Sequence, residues 1–288
     1  MTVFEFENLF DQRIAPIQYA ESWDNVGLLW GHRSQKVRKI LCALDATSVV
    51  VEQCIAQQVD LLVVHHPILF VPMQKIVDTH LEGKILLQLA KHGIALYCAH
   101  TNLDGVFGGI NDYFAGVLDL QDIAPLQALS TTQKIAWDKK GQTGSDGLPN
   151  GGIGRIGKCQ QPILASEFCK MVGETIGDSN VRLYGVDKTI QTVVAINGAG
   201  GGGTSSFLRA KSLKADCVVT AEIKHHIALY AEEMGLNLLE VNHKKSEQIF
   251  VPVLAERLQE VVGKEVRVII DSETDTTKKK WGQNVKSE

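Results

Sequence analysis

Residues 60–70 read DLLVVHHPILF. The apolar run Leu61 to Val64 has the composition of a buried strand, and it stops at two adjacent histidines, His65 and His66, followed by Pro67. The reason for imidazoles at the end of a buried strand has to be sought in the flanking segments. Upstream, KILCALD (39–45) reads as another buried strand, and TSVVVEQCIAQQ from Thr47 begins with an N-cap residue and continues with helical spacing. Downstream, HLEGKILLQLAKHG has helical spacing and ends in Gly93 as a C-cap. IALYCAHTNLDG (94–105) is a third strand running into a turn, and INDYFAGVLDL (110–120) is helical again. Strands alternate with helices, so this part of the chain is α/β with a largely parallel sheet.

A change of composition follows. DKKGQTGSDGLPNGGIGRIG (138–157) is rich in glycine and polar residues and reads as a long loop or a linker into a second unit. That unit offers a helix in PILASEFCKMVGETIG, strands in VRLYG and TVVAING, then a glycine run. SSFLRAKSLKA is a helix, DCVVTAE a strand, HHIALYAEEMG a helix and LNLLEVNH a strand. EQIFVPVLAERLQEVV reads as one helix and EVRVII as the last strand. The polar tail DSETDTTKKKWGQNVKSE (271–288), with Lys278 to Lys280, offers little to bury.

The chain has 288 residues, enough for one large or two ordinary domains. A net charge of −4 provides no strong positive field, which argues against a nucleic-acid partner. The start MTVFEFENLFDQRIAP fits neither a signal nor a transit peptide, and no segment is apolar enough to span a membrane. Six cysteines lie far apart with no CxxC pair, which points to free thiols in a reducing cytoplasm.

Ligands of α/β sheets collect at the carboxyl ends of strands. Four polar stretches fall at such ends: HHP (65–67), AHTNLDG (99–105), TAEIKHH (220–226) and NHKKSE (242–247). Together they supply imidazoles and carboxylates, donors suited to zinc, iron or manganese. His243 and Glu247 share a face if a helix starts there, and Asp104 adds a carboxylate from a turn. Such a mixture suits a two-metal site. Taken singly, each stretch also has an ordinary reading: a packing pair, a turn residue beside glycine, or a solvated helix start. The run NGAGGGGTSS (197–206) lies between strand and helix, and it reads equally as a phosphate cradle or as a tight packing turn.

The order of eight motifs resembles the Nif-three-like family, whose bacterial members are commonly labelled GTP cyclohydrolase type-two homologues. They are SWDNVGLLWG (22–31), ALDAT (43–47), VVHHPILF (63–70), AHTNLDGVFGGIN (99–111), GIGRIG (152–157), INGAGGG (196–202), TAEIKHH and NHKKSE. The resemblance runs from about Met1 to about Ile270 and matches the shorter family form. It implies a two-domain α/β fold with mixed, largely parallel sheets flanked by helices. Residues 1–125 with about 240–288 would carry the metal ligands, and 126–239 would form the second domain. It also implies two divalent ions per chain and a toroidal homohexamer. By match, His65, His66, Asp104, His243 and Glu247 are the metal ligands. Many members have TGD or TGE where this chain has Thr220-Ala221-Glu222, and GH where it has Asn242-His243; both departures fall beside the site rather than on a ligand.

The expected activity is metal-dependent hydrolysis of a nucleotide-like or phosphorylated small molecule, with His100 and His226 as candidates for outer-sphere or proton-transfer work. Asn102, Gly200, Gly201, Gly202 and Glu222 are candidate substrate contacts. A protein that stores, delivers or senses metal without turnover is the competing reading of the same ligands.

Overall fold

The computed structural model describes residues 1–129 and 151–274. Most of the glycine-rich segment 138–157 and the lysine-bearing tail therefore lie outside the described residues. The chain folds as two compact α/β units. One comprises Met1–Leu103 and the chain from Gln248 onward; the other is Asp104–Glu247.

The first unit is built on a five-stranded sheet in the order β1-β4-β3-β2-β11. Its strands are β1 (Gly27–Trp30), β2 (Lys39–Ala43), β3 (Leu61–Val64), β4 (Ala95–Cys98) and β11 (Arg267–Ile270). β1 runs antiparallel to β4 and the other pairs are parallel. All four residues of β3 and of β4 are buried, as an apolar run without alternation requires when both faces are covered. Helix α2 (Ser48–Ala56) starts where the Thr47 hydroxyl accepts from the Val50 amide, and α3 (Leu81–His92) stops at left-handed Gly93. Both pack on the sheet through a cluster that includes Leu41, Val50, Leu62, Val64, Ile85 and Leu89. On α1 (Val3–Arg13), Phe6 and Phe10 place their rings 5.2 and 4.9 Å from that of Tyr97. The registers Ala43↔Val64 and Val64↔Cys98 end β2, β3 and β4 at one level. The residues that follow them, Asp45, His65, His66 and His100, therefore emerge along one edge of the sheet.

The second unit has a six-stranded mixed sheet in the order β5-β6-β8-β9-β10-β7. The strands are β5 (Gln121–Ala128), β6 (Gly152–Leu164), β7 (Arg182–Tyr184), β8 (Thr189–Ala195), β9 (Cys217–Thr220) and β10 (Asn237–Glu240). β8, β9 and β10 are parallel, and the registers Ala195↔Val219 and Thr220↔Glu240 again level their carboxyl ends. Short helix α4 (Thr101–Gly105) is followed by α5 (Ile110–Val117), α6 (Ala165–Ile176), α7 (Ser205–Ser212), α8 (His225–Glu233) and α9 (His243–Gln248).

Three features differ from the sequence reading. GIGRIG is strand rather than linker: Gly152 and Gly154 have φ of +150° and +64°, and a Cβ on Gly152 would lie 2.1 Å from the Gln127 carbonyl oxygen. Glycine thus admits the close pairing of β5 with β6 while hiding the apolar alternation that marks a strand. That pairing, with α5 packed on β6, also groups residues 104–125 with the second unit, whereas the sequence reading divided the chain at 125. The helix read through EQIFVPVLAERLQEVV is two, because α9 ends at Gln248 and α10 (Val251–Val262) starts afresh with Pro252 in its first turn.

Candidate metal centre

In the first unit, the chain bends immediately after β3. The amides of His65 and His66 both donate to the Leu44 carbonyl at 3.1 Å, which takes the two residues out of the extended alternation that would send their rings to opposite faces. Their ring centroids lie 5.0 Å apart, and the His100 ring is 5.1 Å from His65 and 5.7 Å from His66. One nitrogen of each ring lies within 4.8 Å of the others.

All three rings are held through Nδ1. His65 Nδ1 donates to the Ala99 carbonyl at 2.8 Å; a carbonyl can only accept, so the proton sits on Nδ1 and Nε2 carries the lone pair. His66 Nδ1 meets Asp45 Oδ1 at 2.8 Å, and His100 Nδ1 meets Asp24 Oδ1 at 2.9 Å. This is the arrangement in which an oxygen behind the imidazole fixes tautomer and orientation and raises the ring's basicity toward a metal. Asp24 is itself saturated: it also accepts from the Asn25 amide at 2.8 Å, the Thr101 amide at 3.0 Å and the Thr101 hydroxyl. Its side chain is fully buried. Burial pushes its carboxyl up, but the hydrogen bonds from His100 and Thr101 outweigh that and hold it at about 2.

The second unit presents a matching pair. His243 opens α9, and its Nε2 lies 2.9 Å from Glu247 Oε2 across one helical turn. His243 Nδ1 meets Glu222 Oε1 at 2.7 Å, so this imidazole is also backed by a carboxylate. Glu222 reaches that position with φ at +55°, a conformation few side chains adopt. Gly198, at φ +66°, lies beneath the pair: a Cβ there would come 2.3 Å from Glu247 Oε1 and 3.3 Å from His243 Nε2. A buried amide relay ties these pieces together. Asn111 Nδ2 donates to the Asp104 carbonyl at 3.1 Å, the Asn197 amide donates to Asn111 Oδ1 at 2.9 Å, and Asn197 Nδ2 donates to the Ser246 carbonyl at 3.2 Å.

The expected ligands thus fall into two sets, His65 and His66 in one unit and His243 and Glu247 in the other. His100 lies with the first two imidazoles. Asp104 sits on α4, its carbonyl gripped by Asn111. His226 is exposed in the first turn of α8 and joins neither set. Asn102 is buried with its Nδ2 donating to the Ala15 carbonyl at 3.2 Å, an anchor for the turn rather than a presented group. Gly200–Gly202 form a 3-10 turn, and a Cβ on Gly200 would meet Ile196 at 2.4 Å and Thr220 Oγ1 at 2.6 Å, which makes close packing its demand. Glu222 orients His243. Sequence reasoning did not single out Asp24 and Asp45 as imidazole partners. The available signal was an acid inside each of two quoted motifs, one of them just past the end of β2.

A profile of the family described as Duf34/NIF3 (NGG1p interacting factor 3) matches residues 1–277. A Clostridium perfringens protein called GTP cyclohydrolase 1 type 2 homolog is 32% identical over 261 residues, covering 90% of this chain and 92% of that one. The crystal structure of Staphylococcus aureus protein SA1388 matches with a TM-score of 0.79 and 27% identity, over 94% of this chain and 96% of that one. A Bacillus cereus protein related to NIF3 matches in fold with a TM-score of 0.84 at 23% identity, over 94% and 97% of the two chains. Fold, motif order and full-length likeness agree, and the chain belongs to the Duf34/NIF3 family.

Proposed function

We propose that the protein binds two divalent metal ions through His65, His66, Asp104, His243 and Glu247, with His100 as a further donor, and uses them to hydrolyse a nucleotide-like or phosphorylated small molecule. The observation that carries this reading is the convergence of three imidazoles, each held at Nδ1 by an oxygen. Packing alone does not call for that repetition, whereas a cation at Nε2 does. The donors are nitrogen and oxygen without thiolate, which suits zinc, iron or manganese. Bound ions would supply Lewis acidity and activate water at neutral pH. The chain's own part is to hold the rings rigid: Asp24, Asp45, Glu222 and the Ala99 carbonyl fix their tautomers, and Gly198 lets the backbone pass under Glu247 and His243. The name GTP cyclohydrolase 1 type 2 homolog carried by the C. perfringens relative supports a ring-opening or phosphate-cleaving hydrolase. Assembly as a toroidal homohexamer in the cytoplasm completes the proposal; the described residues contain no helix long and apolar enough to cross a membrane.

The test is elemental mass spectrometry on protein purified without added metal or a chelating tag, followed by a hydrolase screen in the metal found. About two ions per chain, and turnover abolished by His65→Ala, are expected. Metal without turnover, released readily to a competing chelator, replaces catalysis with metal handling. Protein that neither carries nor takes up metal sinks the site.

A further inference from the structure

Trp23 and Phe70 are 60% and 52% exposed, high for large aromatic side chains, and both stand beside His100. The three rings form a corner. Trp23 and Phe70 have centroids 5.9 Å apart at 77°, Trp23 and His100 lie 6.4 Å apart at 76°, and Phe70 and His100 lie 6.3 Å apart at 88°. The corner is preset. Asn25 Nδ2 donates to the Leu69 carbonyl at 2.7 Å and so pins the loop carrying Trp23 to the loop carrying Phe70. Asp24, next to Trp23, is locked under His100 and Thr101.

We infer that Trp23 and Phe70 are a binding platform for a planar heteroaromatic ring, borne by a small molecule whose oxygen or nitrogen donor reaches the metal at His65, His66 and His100. The inference rests on the metal reading above and sharpens it, because it chooses a ring over a phosphate as the feature gripped in this unit. Three near-perpendicular rings about 6 Å apart let a flat guest stack on one face while meeting the edges of the others, the two geometries aromatic pairs prefer. The chemistry of the loop agrees. Ile68, Phe70 and Val71 follow His66-Pro67; the carboxylate beside Trp23, Asp24, has its oxygens taken by His100, Asn25 and Thr101, and the carboxylate of Asp45 is engaged by His66. Trp23, Asn25, Leu69 and Phe70 include no basic side chain to grip a phosphate, whereas a nucleobase-like ring finds two π surfaces.

The test is calorimetric titration of the zinc-loaded full chain with guanosine monophosphate, adenosine monophosphate and ribose 5-phosphate. Zinc content is measured on the same samples. The ring nucleotides are expected to bind more tightly than ribose 5-phosphate. Trp23→Ala and Phe70→Ala should each weaken the nucleotides roughly 5- to 100-fold, the usual worth of one aromatic stack, and leave ribose 5-phosphate unchanged. Trp23→Phe should restore most of the loss, which a merely structural role would not require. Failure of both nucleotides to bind the wild type overturns the platform, as does equal binding of all three probes by wild type and Trp23→Ala. Unchanged nucleotide affinity with an altered assembly state in Trp23→Ala would assign the rings to a contact with a second copy of the chain. Ring-selective binding in protein that takes no zinc would retain the platform and remove the metal; full zinc content without ring selectivity would do the reverse.

Discussion

At the scale of single residues, Asp24 decides how much of the first imidazole set is preformed. Its carboxylate is buried, accepts four hydrogen bonds and sits at about 2 against an ordinary value of 3.8. Because the folded value is depressed, its contribution is present above pH 4 and is lost as the pH falls toward 2. The size is on the order of 2 kcal/mol. Asp24→Asn is therefore expected to lower stability at pH 6 by about that amount. The difference from wild type should close as urea titrations are repeated toward pH 2, and a gap that stays constant with pH would refute the assignment. The same substitution removes the acceptor behind His100 and should weaken metal binding about 10- to 100-fold, the usual effect of losing a partner behind a metal-bound imidazole. Cys42, Cys98 and Cys217 make a complementary case. Burial pushes their thiols well up, and Cys54 up to about 12, whereas Cys169 is partly exposed. In native protein, Cys169 is expected to react first with a thiol reagent, and those four only after denaturant is added.

At the scale of elements, the glycine run shows what a sequence can and cannot express. NGAGGGG reads equally as anion cradle or packing turn, because composition says that backbone must come close to something without saying to what. The structure separates the glycines. Gly198 has φ +66° and touches the metal-ligand candidates of α9, while a Cβ on Gly202 meets nothing within 4 Å. Gly198→Ala forces left-handed strain of about 1–2 kcal/mol and drives a methyl against Glu247. A lower melting temperature and lost metal uptake are expected, while Gly202→Ala leaves both near wild type; equal behaviour of the two variants would show that Gly198 has no special place. The Asn111–Asn197 relay belongs to the same scale. It joins α4, the turn after β8 and α9 by side chains that no local pattern in the sequence connects. Asn111→Leu leaves the Asn197 amide without its acceptor, at a cost of about 1–3 kcal/mol.

At the scale of the whole chain, the parallel central strands β2, β3, β4, β8, β9 and β10 were legible because they are short apolar runs with polar residues just past their ends, whereas β1, β5 and β6 were not. The level registers of β2, β3 and β4, and of β8, β9 and β10, turn those ends into two rows of side chains. His65, His66, His243 and Glu247 were readable as parts of such rows. Asp24, Asp45 and the role of Glu222 were not, because an acid is a common residue past a strand end and only the fold reveals which imidazole it backs. Four imidazoles each backed by an oxygen could hold a cation, and under the proposed function removing that cation should register in the chain's stability. At free metal 100-fold above the dissociation constant, one bound ion contributes about 2.7 kcal/mol to folding. Dialysis against a strong chelator is therefore expected to lower the melting temperature by several degrees, and the metal restored alone should recover it. The assembly state, followed by mass photometry through the same cycle, gives a separate answer. Dissociation on chelation makes the ions cement between subunits. An assembly that survives with a lower melting temperature places their contribution within each chain, where a site built for chemistry belongs.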